Sequence, residues 1–115
     1  MPTKQPLYDL SHLIAISRGN EQFVKKMVDE FCKQTPVQLT QLIVAYNSGE
    51  METMGNLAHR MKPAIDTLRI NQLRPVIRNI EKMGSGEMKG DGLQQNLNEL
   101  EITIKRVVHL LQQDY

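Results

Sequence analysis

The chain is 115 residues long, the size of one domain that can bury a core of its own. Fourteen lysines and arginines nearly cancel thirteen aspartates and glutamates, so the basic excess that nucleic acid or an anionic membrane usually requires is missing. The single cysteine, Cys32, excludes an internal disulfide and a cysteine zinc cage, and its place in an apolar helical pattern marks it as buried.

The opening stretch MPTKQPLYDL has no long apolar core of the kind a signal peptide needs, and no run approaches the roughly 18 apolar residues of a membrane span. The chain therefore reads as cytoplasmic, or as a cytoplasmic piece of something larger. Residues 1–7 read as a flexible leader and residues 8–115 as one helical domain.

Glycine and proline punctuate that domain. YDLSHLIAIS places Leu10, Leu13 and Ile14 on one face, which predicts a short first helix. RGN breaks it, and Asn20 is placed to cap a second helix with Glu21 in its first turn. That second helix is long: Val24, Met27, Val28, Phe31, Thr35, Leu39, Leu42, Ile43 and Tyr46 recur at helical spacing. Pro36 removes the bond to the Cys32 carbonyl, yet the apolar stripe resumes in phase, so a kink is expected there and the stop only at NSGE.

The third helix is predicted to start near Glu50. Its seam of Met54, Ala58, Met61, Ile65 and Leu68 is narrow, with steps of 4, 3, 4 and 3. Ile70, Leu73, Ile77 and Ile80 form the next seam, with Asn71 a candidate cap and Pro75 near the helix start. Gly84 to Gly92, GSGEMKGDG, reads as a linker; it lacks the Gly-Lys-Ser/Thr ending of a phosphate-binding loop. Leu93, Leu97, Leu100, Ile104, Val107 and Leu111 make the last seam. No period-two alternation is sustained anywhere. Helices with single apolar stripes must bury them against one another. The expected fold is all-α: an antiparallel up-down-up-down four-helix bundle with a short extra N-terminal helix.

One histidine stands out. His59 lies one residue past the seam position Ala58, a rotation of about 100° that brings it to the edge of water. Its helical neighbours are Gly55 at i−4 and Lys62 at i+3, with Pro63 at i+4 and Asp66 at i+7. Glycine in mid-helix costs roughly 0.5–1 kcal/mol relative to alanine but clears space beside the imidazole. A nearby lysine favours a neutral ring, and an anion attached to it. Such a ring is suited to accept a phosphoryl group, although an ordinary surface histidine beside a lysine has the same spacing.

LAHRMKPAIDTLRI resembles the active-site helix of histidine-containing phosphotransfer domains, whose pattern runs Ala-His-x-Leu-Lys-Gly-Ser-x-x-x-Leu-Gly. Ala58, His59, Lys62 and Leu68 match, and Met61 replaces the leucine. GNEQFVKKMVDEFCKQTPVQLTQL resembles the family's second helix, including Thr35-Pro36, and SGEMETMGNLAH its approach to the histidine. The resemblance spans about residues 8–112. It implies a phosphorelay intermediate that takes a phosphoryl group from a receiver-domain aspartate onto His59 and passes it to another receiver. Lys62 would stabilise the phosphoryl charge. The implied partners are response-regulator receiver domains and a hybrid histidine kinase, with the protein itself a monomer. No autokinase activity, cofactor or metal of its own is implied, since the receiver supplies the Mg²⁺.

Two positions depart from the pattern. The glycine after the lysine is Pro63, whose ring crowds the His59 carbonyl and biases Lys62 away from helical geometry, so a local bend is expected. The final glycine is Arg69. Gly55 is then expected to provide the close-approach surface instead, within a docking region of Met51, Met54, Gly55, Pro63 and Asp66. The other functional reading is a helical interaction module that binds receiver or kinase domains without transferring phosphate. His12 and His109 lie beside apolar seams with no metal-type partner at i+4. The basic series Arg60, Lys62, Arg69, Arg74, Arg78 and Lys82 reads either as a solvated face or as attraction for an acidic receiver pocket.

Overall fold

A computed structural model describes residues 7–87 and 92–114. Among these residues five α-helices and one 3₁₀ turn follow one another: α1 (Ser11–Ile16), α2 (Glu21–Asn47), α3 (Met51–Thr67), the turn Asn71–Leu73, α4 (Arg74–Gly84) and α5 (Leu93–Asp114). There is no strand among the described residues. Four helices form a ring in which α2 packs on α3, α3 on α4, α4 on α5, and α5 back on α2.

The seams expected from spacing make the core. Met54, Ala58, Met61 and Ile65 of α3 are fully buried, as are Ile80, Leu100, Ile104, Val107 and Leu111. Each such valine, leucine, isoleucine or methionine contributes roughly 1.5–3 kcal/mol by leaving water. On α2 the buried side chains are Val24, Val28, Phe31, Thr35, Leu39, Leu42 and Ala45, with Met27, Ile43 and Tyr46 half-buried at the margin. At α1, the preceding Leu10 and Leu13 within the helix are buried but Ile14 is 45% exposed, so only part of the expected face packs. Cys32 is half-buried, and that burial pushes its thiol above the usual cysteine range.

Helix ends explain where the chain turns. Asn20 Oδ1 accepts the Phe23 amide at 3.1 Å, the cap expected for α2. α2 runs through Pro36, and α3 through Pro63. Asn71 does not cap α4; it opens the 3₁₀ turn, and Pro75 occupies the first turn of α4. Gly84 belongs to α4 and not to the linker, whose residues 88–91 lie outside the described residues.

α3 closes with the i+5 bond Ile70 N to Ile65 O at 3.0 Å and the bond Arg69 N to Asp66 O at 3.1 Å. This is a Schellman ending, which needs a left-handed residue where the chain leaves the helix. Arg69 adopts it at φ 53°, so arginine keeps the turn that glycine usually makes. Gly49 and Gly86 hold the matching position after α2 and α4, at φ 75° and 83°.

Candidate functional site

His59 is on α3, and its side chain is 69% exposed. The buried seam one residue back fixes its helical phase, which turns it toward the α4 side of the bundle. There the ring meets Glu81, one residue past the buried Ile80 on α4. His59 Nδ1 lies 2.9 Å from Glu81 Oε1. The carboxylate only accepts, so the ring nitrogen donates, which fixes the tautomer with the proton on Nδ1. In the neutral ring Nε2 then carries the lone pair. Among the described residues it has no hydrogen-bond partner.

Lys62 joins the same carboxylate from the next turn of α3. Its Nζ is 3.6 Å from Glu81 Oε2, a contact of opposite charges but too long for a strong hydrogen bond. Oε2 itself is buried and has no hydrogen-bond partner. The hydrogen bond from His59 holds the Glu81 carboxyl below the usual glutamate range; partial burial pushes it up and loses, and the Lys62 charge adds to the downward pull. Glu81 therefore stays ionised at neutral pH and faces both the ring and the ammonium. A depression of about 440 Å³ opens beside them, lined by Glu52, Gly55, Asn56, His59, Glu81, Gly84 and Ser85.

The remaining expected site residues separate. Met51 is half-buried at the start of α3. Met54 is fully buried, so its assignment to a docking surface is corrected: it is a core side chain that a partner cannot reach. Gly55 is also buried, and its open side is filled by the backbone of α4 at Gly84, so it does not offer a close-approach surface to another protein. Asp66 Oδ1 accepts from Arg74 Nε at 3.1 Å, tying the last turn of α3 to the start of α4. Pro63 is exposed on the other flank of α3, where with Arg60 it edges a groove of about 270 Å³ that runs against Phe31, Thr35 and Gln38 of α2.

The basic series is likewise divided. Lys62, Arg78 and Lys82 border one depression together with Glu81, Ser85 and Glu87. Arg60 faces the α2 groove, and Arg74 is paired with Asp66.

Glu81 is the residue that spacing did not single out. It stands next to the buried Ile80, just as His59 stands next to the buried Ala58, and an acidic residue in that phase was the available signal. What the sequence lacked was the relative rotation and height of two helices, which decide whether two such positions meet.

Among the described residues no three His, Cys, Asp or Glu side chains are grouped as a metal would require, and no helix is long and apolar enough to cross a membrane. No protein-family model, curated protein or solved structure matches the chain.

Proposed function

We propose that the protein is a phosphorelay intermediate: His59 accepts a phosphoryl group from a receiver-domain aspartyl phosphate and hands it to the aspartate of another receiver. The observation that carries this reading is the pairing of an exposed His59 ring with an ionised Glu81 on Nδ1, 2.9 Å away, while Nε2 points outward. Nε2 is the nucleophile. Its lone pair forms the N–P bond as the P–O bond to the aspartyl carboxyl breaks, and the carboxylate departs with that electron pair. The Nδ1 proton stays on the ring, which becomes cationic, and Glu81 stabilises it. The Lys62 ammonium offsets charge on the phosphoryl oxygens. The receiver supplies Mg²⁺. What remains for this protein is an oriented, accessible nucleophile, which suits a reaction governed by positioning.

The antiparallel up-down-up-down order of the four long helices belongs to this reading, since it presents His59 partway along one helix with α4 behind it. So do the partners: receiver domains and a hybrid histidine kinase in the cytoplasm, drawn to the cluster of Lys62, Arg78 and Lys82 beside the site. Pro63, exposed where the resembling family carries glycine, favours the second reading: a helical interaction module that binds receivers without transferring phosphate.

Incubation with phosphorylated receiver domains separates the two. Transfer predicts label on this protein that is lost in acid and retained in base, as for phosphohistidine. Binding of receivers without such label supports the second reading.

A further inference from the structure

α3 and α4 touch through backbone at Gly55 and Gly84. A Cβ built on Gly84 would lie 2.5 Å from Gly55 Cα, 2.7 Å from Met51 O and 2.8 Å from Gly55 N. A Cβ on Gly55 would lie 3.0 Å from Gly84 Cα and 3.3 Å from Glu81 O. Neither glycine is there for its backbone angle, since the positive-φ glycines lie elsewhere. Both are there because no side chain fits between the helices. The carbonyl of Glu81 is itself part of this contact. His59 is one turn beyond Gly55 on α3, and Glu81 is one turn before Gly84 on α4, so the backbone contact and the His59–Glu81 hydrogen bond sit side by side across the same two helices.

We propose that Gly55 and Gly84 are positioning residues: their backbone contact sets the α3–α4 separation at which Glu81 reaches His59 Nδ1 and holds Nε2 free. The physical reason is reach. A glutamate in a favoured rotamer spans a fixed distance, and the 2.9 Å bond to His59 has little room to lengthen before it is lost. A methyl group at Gly84 meets backbone, which cannot rotate away, so α4 must move outward. At Gly55 the clash is milder and the displacement smaller. This extends the reading of His59 as phosphoryl acceptor and rests on it for its functional meaning, but the geometry can be read without any transfer.

The test is the ring tautomer of His59, read from ¹⁵N shifts of the full chain at a pH where the ring is neutral. The wild-type ring is expected mainly in the Nδ1–H form. Gly55→Ala should shift it part of the way, and Gly84→Ala further, toward the Nε2–H form that predominates for histidine in water. Phosphoryl uptake should fall in the same order, roughly tenfold for Gly84→Ala. Gly19→Ala is the control: it strains a left-handed turn at φ 78° in the connection between α1 and α2, where a Cβ would meet no other atom, and should lower stability with the tautomer unchanged. If Gly84→Ala does not fold, Gly55→Ala carries the comparison. Wild-type tautomer in a folded Gly55→Ala and Gly84→Ala, an equal shift in Gly19→Ala, or a wild-type ring lacking the Nδ1–H form overturns the proposal. A wild type with the expected tautomer but no phosphohistidine rejects the transfer reading and leaves the positioning intact.

Discussion

Two histidines of this protein share a sequence description and differ in what the fold does with them. His59 on α3 and His109 on α5 each sit beside an apolar seam, and each has a lysine within one turn, Lys62 and Lys105. His109 finds its partner on its own helix: the Gln113 amide donates to its Nε2 at 3.2 Å. Its neighbour Lys105 is bound to Glu101, again along α5, at 3.3 Å. The polar bonds around His109 stay within one helix, and the ring nitrogen they occupy is Nε2. His59 is met from another helix, through Nδ1, by a carboxylate that also faces Lys62. A histidine on a helix surface is common. One whose inner nitrogen is held by a neighbouring helix, with the outer nitrogen left to solvent, has the orientation that the proposed nucleophile requires.

The largest break in this comparison is His59→Gln. It should abolish acid-labile labelling by phosphorylated receivers while far-UV circular dichroism keeps its helical signal. Acid-labile label persisting on the variant would remove His59 from the role.

Glu81→Gln comes next. The amide can still accept a hydrogen bond but cannot stabilise a cationic ring, so uptake is expected to fall by roughly ten- to a hundredfold. Stability carries a separate signature. The folded-state pKa of Glu81 is lowered, so its contribution is present above the ordinary glutamate range and lost as the pH falls through the lowered value. Urea unfolding should show wild type more stable than Glu81→Gln at neutral pH, with the gap closing in acid. A gap that stays open once the pH has fallen through the lowered value would contradict the contact.

Lys62→Ala should keep the fold and slow transfer by about three- to tenfold. Lys62 is 38% exposed and its contact with Glu81 is long, so its effect is modest. Single-turnover transfer rates measure it, and an unchanged rate would dismiss the phosphoryl-stabilising role. The smallest effect belongs to the control: His109→Gln should leave uptake unchanged and stability within about 0.5 kcal/mol, as surface substitutions usually do. Loss of transfer in that variant would mean the two histidines are not distinguished as described.

Much of the fold was legible because helical periodicity is written in the chain. The steps of four and three from Met54 to Leu68 and from Leu93 to Leu111 name residues that are all buried, though they miss Gly55 and Leu57 on α3 and Thr103 on α5, and the phase of Ala58 puts His59 at the water's edge. Capping was legible at Asn20, where side-chain chemistry decides, and not at Asn71, where the chain takes a 3₁₀ turn before Pro75. The left-handed turn after α3 was hidden because arginine occupies it; the hydrogen bonds of the whole turn outweigh the steric cost of roughly 1–2 kcal/mol for such a residue.

The meaning of the glycines required the tertiary structure. Gly55 looked like room for a ligand or partner, and it is room for another helix. The position of Met54 in the sequence suits both the seam and the docking surface, and its full burial makes it a seam residue. By itself the sequence determined which face of each helix is apolar and that His59 stands just off such a face, because those properties repeat within single helices. Only the tertiary structure decided which acidic residue meets His59, since that depends on how closely α3 and α4 approach, and the Gly55–Gly84 contact sets this through atoms that carry no pattern of their own.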